Sequence, residues 1–192
     1  MQKTKVEAGK VEKKLFTVEE YHRMVEAGVL DEGNKVELIE GEIYPMAAMG
    51  SRHAACVRRI NALLGDRMEP GMVVSPQCPV QLDDNSEPEP DIALLKPRND
   101  FYADAHPRPK DVLISIEVSD TSLERDAQIK LPAYARSGIP EVWIVNLIND
   151  FIEVHSRPAT GEYRSTLRVR SGETFRSESL PGTDIAAKDI LG

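Results

Sequence analysis

The sequence predicts an α+β protein in which helices flank a mixed central β-sheet. Three observations carry this. Two stretches, Thr17–Gly28 and Ser51–Met68, repeat apolar residues at helical spacing behind a residue suited to capping. Short β-branched runs follow, the strongest being Asp111–Ser119 (DVLISIEVS) and Glu141–Leu147 (EVWIVNL). The order is helix, strand meander, helix, strands, which builds packed layers rather than repeats or a bundle.

Met1 to Lys14 is polar and Lys/Glu-rich, with no apolar stretch before a small-residue cleavage site, so residues 1–14 read as a loose tail and not a signal peptide. Residues 15–192 suit one domain. Thr17 is placed to cap the first helix, and Glu20 closes a capping box. Tyr21, Met24 and Val25 form its apolar face, and Gly28 is its stop. Lys35–Glu40 and Glu42–Met46 read as two short strands meeting at Gly41. Ser51 caps a second helix, roughly His53 to Met68, with His53, Val57, Ile60, Leu64 and Met68 on its buried face.

Pro70–Gly71 ends that helix. Strands are expected at Met72–Ser75, Pro79–Leu82 and Asp91–Leu95, with an acidic turn at Asp83–Pro90. Lys96–Lys110 holds three prolines and no periodicity, which makes it a candidate mobile flap. On Asp111–Ser119, Val112, Ile114, Ile116 and Val118 point one way, and Leu113, Ser115 and Glu117 the other. Leu123–Ser137 reads as a helix ending at Gly138, bent by Pro132. Glu141–Leu147 is a buried strand. Asn149–Asp150 turns into Phe151–Ser156, and Gly161 starts a return through Tyr163–Val169.

Composition narrows the function. With 41% hydrophobic residues the chain can bury a sizeable core, and its 29% charged residues suit a soluble surface. No apolar run approaches the ~18–20 residues of a membrane span. Cys56 and Cys78 stand far apart and make neither a disulfide framework nor a structural zinc site. Cys56 reads as a buried thiol, and a reducing cytoplasm is the expected location. The net charge of −8 argues against an avid non-specific DNA binder, since such proteins are usually basic. It leaves room for an enzyme whose metal-holding carboxylates add negative charge. Basic clusters at Arg58–Arg59 and Arg164–Arg168–Arg170 read as solvated surface charge.

The residues that suggest chemistry are acids on strands. A carboxylate inside a β-branched strand is costly unless something compensates it. Glu117 interrupts LISIEVS, and Asp91 opens PDIALL directly after Pro90. Two carboxylates at the ends of neighbouring strands can share a hard cation such as Mg²⁺, which could activate water and neutralise a phosphate. Alternatively Asp91 caps a turn and Glu117 pairs with an arginine. Lys130 follows Leu123 and Ala127 at helical spacing and precedes Tyr134, so its stem belongs to the face that packs on the sheet. The other reading is an exposed pair with Asp126. Trp143 and Tyr134 read as core, and His22, His106 and His155 show no metal-ligand spacing.

The run VELIEGEIYPM, then His53, PEPDIALL, LISIEVSDTS and DAQIKLPAYARSGIPEVWIVNL resembles the Uma-two family of restriction endonucleases, a branch of the PD-(D/E)XK nucleases. The likeness runs from Leu15 to about Leu191. It implies a restriction-endonuclease-like core and a Mg²⁺-dependent DNA endonuclease, with Mn²⁺ as a substitute. By position Asp91 matches the motif aspartate and Glu117 the second acidic ligand, with the Val118 carbonyl beside them on the metal. The lysine expected two residues after Glu117 is replaced by Ser119, and Lys130 matches the lysine that this branch takes from the next helix. Glu37 matches the acid of the first motif; it binds metal, directly or through water, or is a pairing charge on an edge strand. His53 matches the pattern as a phosphate or water contact, or else is a capping histidine. Gln77 is placed to reach the same point. DNA is the implied substrate and a homodimer the implied assembly, with no membrane contact. The alternative is a catalytically silent nuclease-fold module for nucleic-acid or protein interaction. A glycosidase using two carboxylates would leave Lys130 without a role.

Overall fold

The computed structural model describes residues 13–30, 35–67, 69–120 and 123–192. Most of the expected tail, and Met68, lie outside them. The first helix, α1 (Val18–Glu26), starts as its sequence dictates. The Glu20 N–H donates to Thr17 Oγ1 at 3.1 Å, and the Thr17 N–H donates to Glu20 Oε2 at 3.0 Å. Strands β1 (Val36–Ile39) and β2 (Glu42–Pro45) form an antiparallel hairpin. Its turn residues Glu40 and Gly41 both have positive φ, the form that matches strand twist. A Cβ on Gly41 would also meet the Leu15 Cβ at 2.7 Å. Gly41→Ala is therefore expected to cost about 2 kcal/mol from backbone strain and crowding together. An unchanged urea midpoint would show that the Leu15 segment yields freely.

Helix α2 (Ser51–Arg67) begins two residues earlier than expected. Gly50 already accepts the Ala54 N–H at 3.0 Å, so Ser51 is the first helical residue and not the cap. Its inner face carries Cys56, Val57, Ile60, Leu63 and Leu64. The Cys56 thiol is buried, as expected, and burial pushes its pKa up to about 11.

The main sheet has the order β3–β4–β5–β6–β7–β8, with β3 (Val73–Pro76), β4 (Ile92–Leu95), β5 (Val112–Ser119), β6 (Glu141–Asn146), β7 (Phe151–Ala159) and β8 (Glu162–Arg170). β5 and β6 run parallel, and the other neighbouring pairs are antiparallel. A parallel pair needs a crossover. It is supplied by α3 (Leu123–Arg125), a π-helical turn (Asp126–Lys130) and α4 (Leu131–Ser137), which ends at Gly138 in the left-handed conformation. Pro132 follows the π turn in a helix that runs on without a break: Lys130 and Leu131 both have helical φ/ψ, and the Leu131 N–H donates back to the Asp126 carbonyl.

Two layers cover the sheet. Ile92, Leu94, Ile114, Ile116, Val118, Trp143 and Val145 pack with α2 and the C-terminal segment. Ala93, Leu95, Val142 and Ile144 pack on the other face with Tyr134 and Ile139. Val112 joins this second face, contrary to simple alternation. The register between β4 and β5 slips between Leu94 and Leu95, so that Leu113 is an extra residue and Val112 turns over.

Pro79–Leu82 does not become a strand. Val80 and Leu82 donate to Pro88 and Ser86 carbonyls, but Pro79, Pro88 and Pro90 have no N–H to complete a ladder. The C-terminal segment was not foreseen: β9 (Thr174–Arg176), β10 (Asp184–Ala186) and α5 (Lys188–Leu191) close the α2 face. Arg59, expected in solvent, instead donates to the Ile190 and Leu191 carbonyls at 2.8 and 2.6 Å. These orphan carbonyls of a terminal helix need donors.

Candidate active site

Asp91 immediately precedes β4, and β4 pairs with β5 so that Ile92 faces Ile116. This antiparallel register sets Asp91 beside Glu117 and Val118. Its Oδ2 accepts the Val118 N–H at 2.8 Å. His53, in the first turn of α2, brings Nε2 to 2.9 Å from the same oxygen as an ion-pair contact without hydrogen-bond alignment. Contact with Asp91 holds the His53 pKa above its ordinary value, against the opposing effect of burial.

Glu117 is only 2% exposed. Both its oxygens lie 3.2 Å from Lys130 Nζ, and Oε1 also accepts the Tyr134 hydroxyl at 2.6 Å. Lys130 and Tyr134 are one turn apart, so both reach the sheet. Lys130, 3% exposed, continues to Glu37 Oε2 at 2.9 Å and the Glu89 carbonyl at 3.2 Å. Lys130 and Asp126 are both buried, so they are not an exposed pair; Asp126 accepts the Ser119 hydroxyl at 2.8 Å. Ser119 thus stands where a motif lysine was expected and orients an acid instead.

Burial pushes the Glu117 carboxyl well above its usual range, and Lys130 only partly offsets this. Burial alone would lower the Lys130 pKa. The Glu117 and Glu37 carboxylates outweigh it and hold the ammonium charged.

Asp91, Glu117, Val118, Lys130, His53 and Gln77 all line one cavity of about 720 Å³. Glu89, Asp120, Asp126, Lys35 and Arg125 complete the charged lining. Glu37, which the resemblance offers as a metal ligand, does not line this cavity. It lies fully buried behind Lys130. The loop Lys96–Lys110 does not border the cavity. It is tied by an Arg98–Asp100 pair at 2.5 Å and by the Tyr102 hydroxyl on the Lys96 carbonyl at 2.8 Å, contrary to a flap over the site.

Tyr134 is in the core, as expected, at 0% exposure; what sequence reasoning missed is that its hydroxyl donates to Glu117. The signal was its spacing of four from Lys130. Tyr134→Phe keeps the ring but leaves Glu117 short of a donor, so about 1.5–3 kcal/mol of stability should be lost, the usual scale for a hydrogen bond to a charged group. A loss near zero in chemical denaturation would mean that Lys130 alone satisfies Glu117.

Among the described residues, no three or more His, Cys, Asp or Glu side chains converge as a preformed metal cage. The donor chemistry nevertheless fits Mg²⁺. That ion commonly takes one or two carboxylates and keeps several waters, and here Asp91, Glu117 and Val118 line one cavity. Five carboxylates in the lining face Lys35, Arg125 and Lys130, an excess of negative charge that a cation would offset.

The fold is α+β, a six-stranded mixed sheet flanked by helices, with acids and a lysine gathered near the end of one strand. The chain belongs to the Uma2 family, described as "Putative restriction endonuclease", whose family model matches residues 18–188. Among solved structures it is similar to a "putative nuclease belonging to DUF820" from Anabaena variabilis. The two are 14% identical with a TM-score of 0.68, covering 92% of this chain and 97% of that chain. At this identity the likeness speaks for the fold. No curated protein matches the chain.

Proposed function

We propose that this chain is a Mg²⁺-dependent DNA endonuclease hydrolysing phosphodiester bonds. One observation carries the reading: Asp91 and Glu117, on adjoining antiparallel segments, line one cavity with Val118 and Lys130. The Asp91 and Glu117 carboxylates and the Val118 carbonyl would hold Mg²⁺, or Mn²⁺ in its place. Bound there, the ion supplies Lewis acidity that neutralises phosphate charge and lowers the pKa of water. Lys130 orients the attacking water or neutralises charge building on the phosphate oxygens. Glu37 keeps Lys130 charged and in place. His53, at the start of a 17-residue helix, is a contact for phosphate or water where the helix dipole favours anions. Gln77 offers its amide to the same cavity. Cleavage of both strands of a duplex takes two such sites, and hence a homodimer.

The test is a cleavage assay on supercoiled, linear and branched DNA with Mg²⁺ or Mn²⁺. Cut product that disappears on adding EDTA is the expected result. A second reading, a catalytically silent interaction module, has its own observation: the ammonium donors of Lys130 are taken up by Glu37, Glu117 and the Glu89 carbonyl. No product on any substrate with either metal would decide for it.

A further inference from the structure

We propose that the groove beside the active site receives one unpaired DNA nucleotide, with Tyr44 as its stacking face and Arg125 as its phosphate anchor. The inference rests on the nuclease reading and specifies the form of its substrate. The site cavity does not end at Lys130. It adjoins a groove of about 570 Å³ between the β1–β2 hairpin and the π-helical turn, and Pro45, Met46, Ala47 and Arg125 line both. A strand whose phosphate enters the first space therefore places a neighbouring nucleotide in the second.

The groove suits a base. Tyr44, Met46 and Ile129 supply apolar wall, and Gln128 an amide and Glu124 a carboxylate to the same lining. Tyr44 pairs in register with Glu37, so the hairpin face that carries Glu37 toward Lys130 carries Tyr44 toward the groove. The Tyr44 hydroxyl donates to Glu42 at 2.8 Å, which helps fix the ring.

Arg125 is shaped for a phosphate at the junction. Its side chain is 21% exposed, and Nη1 donates to the Pro45 carbonyl. Its Nε is buried without a hydrogen-bond acceptor; Glu37 Oε1 lies 3.7 Å away and Asp126 Oδ1 4.0 Å. Nε is flanked by these two carboxylates, so a phosphate oxygen, a strong acceptor, would meet the exposed part of the guanidinium.

The charge balance favours a single strand over a duplex. A duplex presents two charged backbones and is held through rows of cations. Here the lining cations are Lys35, Arg125 and the buried Lys130, among five carboxylates of the cavity and Glu124 of the groove, in a chain of net charge −8. Stacking can supply affinity where phosphate contacts are few.

The test is fluorescence anisotropy with a labelled oligothymidine and a blunt duplex of equal length, using Ca²⁺ in place of Mg²⁺ so that binding is read apart from cleavage. The single strand should bind about tenfold tighter. Tyr44→Ala should weaken it about tenfold, the scale of losing one stacked base, and Tyr44→Trp should restore it. Arg125→Gln should weaken binding and reduce the salt slope by about one, with circular dichroism showing each variant folded. Equal binding of duplex and single strand, wild-type binding by Tyr44→Ala, or no binding at all overturns the proposal. Tight single-strand binding that depends on Tyr44, with no cleavage under Mg²⁺ or Mn²⁺, keeps the groove and removes the nuclease reading. Duplex cleavage indifferent to Tyr44 keeps the nuclease and removes the groove.

Discussion

Lys130→Ala should lose about 3–5 kcal/mol of stability, the scale of breaking a buried ion pair by removing one partner. The lysine lies between Glu37, which is 0% exposed, and Glu117, which is 2% exposed. Without the ammonium, two carboxylates with little access to solvent are left together at the base of the cavity, and neither has another full cation at hydrogen-bonding distance. The burial on all sides makes stability the first casualty. The penalty should shrink as pH falls. Glu117 has a folded-state pKa above its ordinary one, so the folded state binds its proton more readily, and the cost of its charge is present only above the usual carboxylate range. Removing charge on the other side, in Lys130→Met with Glu37→Gln, should recover much of the loss. Urea denaturation across pH measures all of this. A Lys130→Ala protein as stable as the wild type would falsify the buried cluster. Any rate comparison belongs to the repaired double variant, where folding and chemistry separate.

Asp91→Asn should remove Mg²⁺ binding and at least ~10²-fold of cleavage while keeping the fold. The amide oxygen can still accept the Val118 N–H that Asp91 holds at 2.8 Å, so the end of the sheet stays closed. What is lost is the charge. Calorimetry with Mg²⁺ should then show no binding heat. The second readout is His53. Its pKa is raised chiefly by Asp91, so in the variant the ring should titrate at lower pH in an NMR titration. Unchanged Mg²⁺ heat would place the ligands elsewhere in the cavity, with Asp120 and Asp126 the next acids along its wall. An unmoved His53 titration would mean that the close contact at 2.9 Å carries little charge coupling.

Local chemistry made much of this protein legible in its sequence. Thr17 and Glu20 had to cap α1, because their spacing satisfies two orphan amides at once. Gly41 and Gly138 marked a turn and a helix end because glycine takes positive φ at low cost, as both do here. Glu117 stood out because a charge inside a β-branched strand demands a partner, and Lys130 because its register pointed it at the sheet. Both readings rest on periodicity, which neighbours in sequence decide.

Other features depend on residues far apart in the chain. Periodicity could bring Lys130 to the sheet, but only the packing of β1 beneath the crossover closes it off between Glu37 and Glu117. Val112 changed faces because β4 and β5 slip by one residue, a matter of pairing and not of the strand's own pattern. Arg59 left solvent because α5, some 130 residues later, lays its carbonyls against α2. The sequence by itself determined which acids and which lysine belong together and on what kind of element each rides, because helix and strand periods follow from local sterics. Tertiary structure alone decided how deeply they are buried, which carboxylate oxygens are already engaged, and what groove adjoins them. Desolvation and long-range pairing are properties of the packed chain, and no short window of residues contains them.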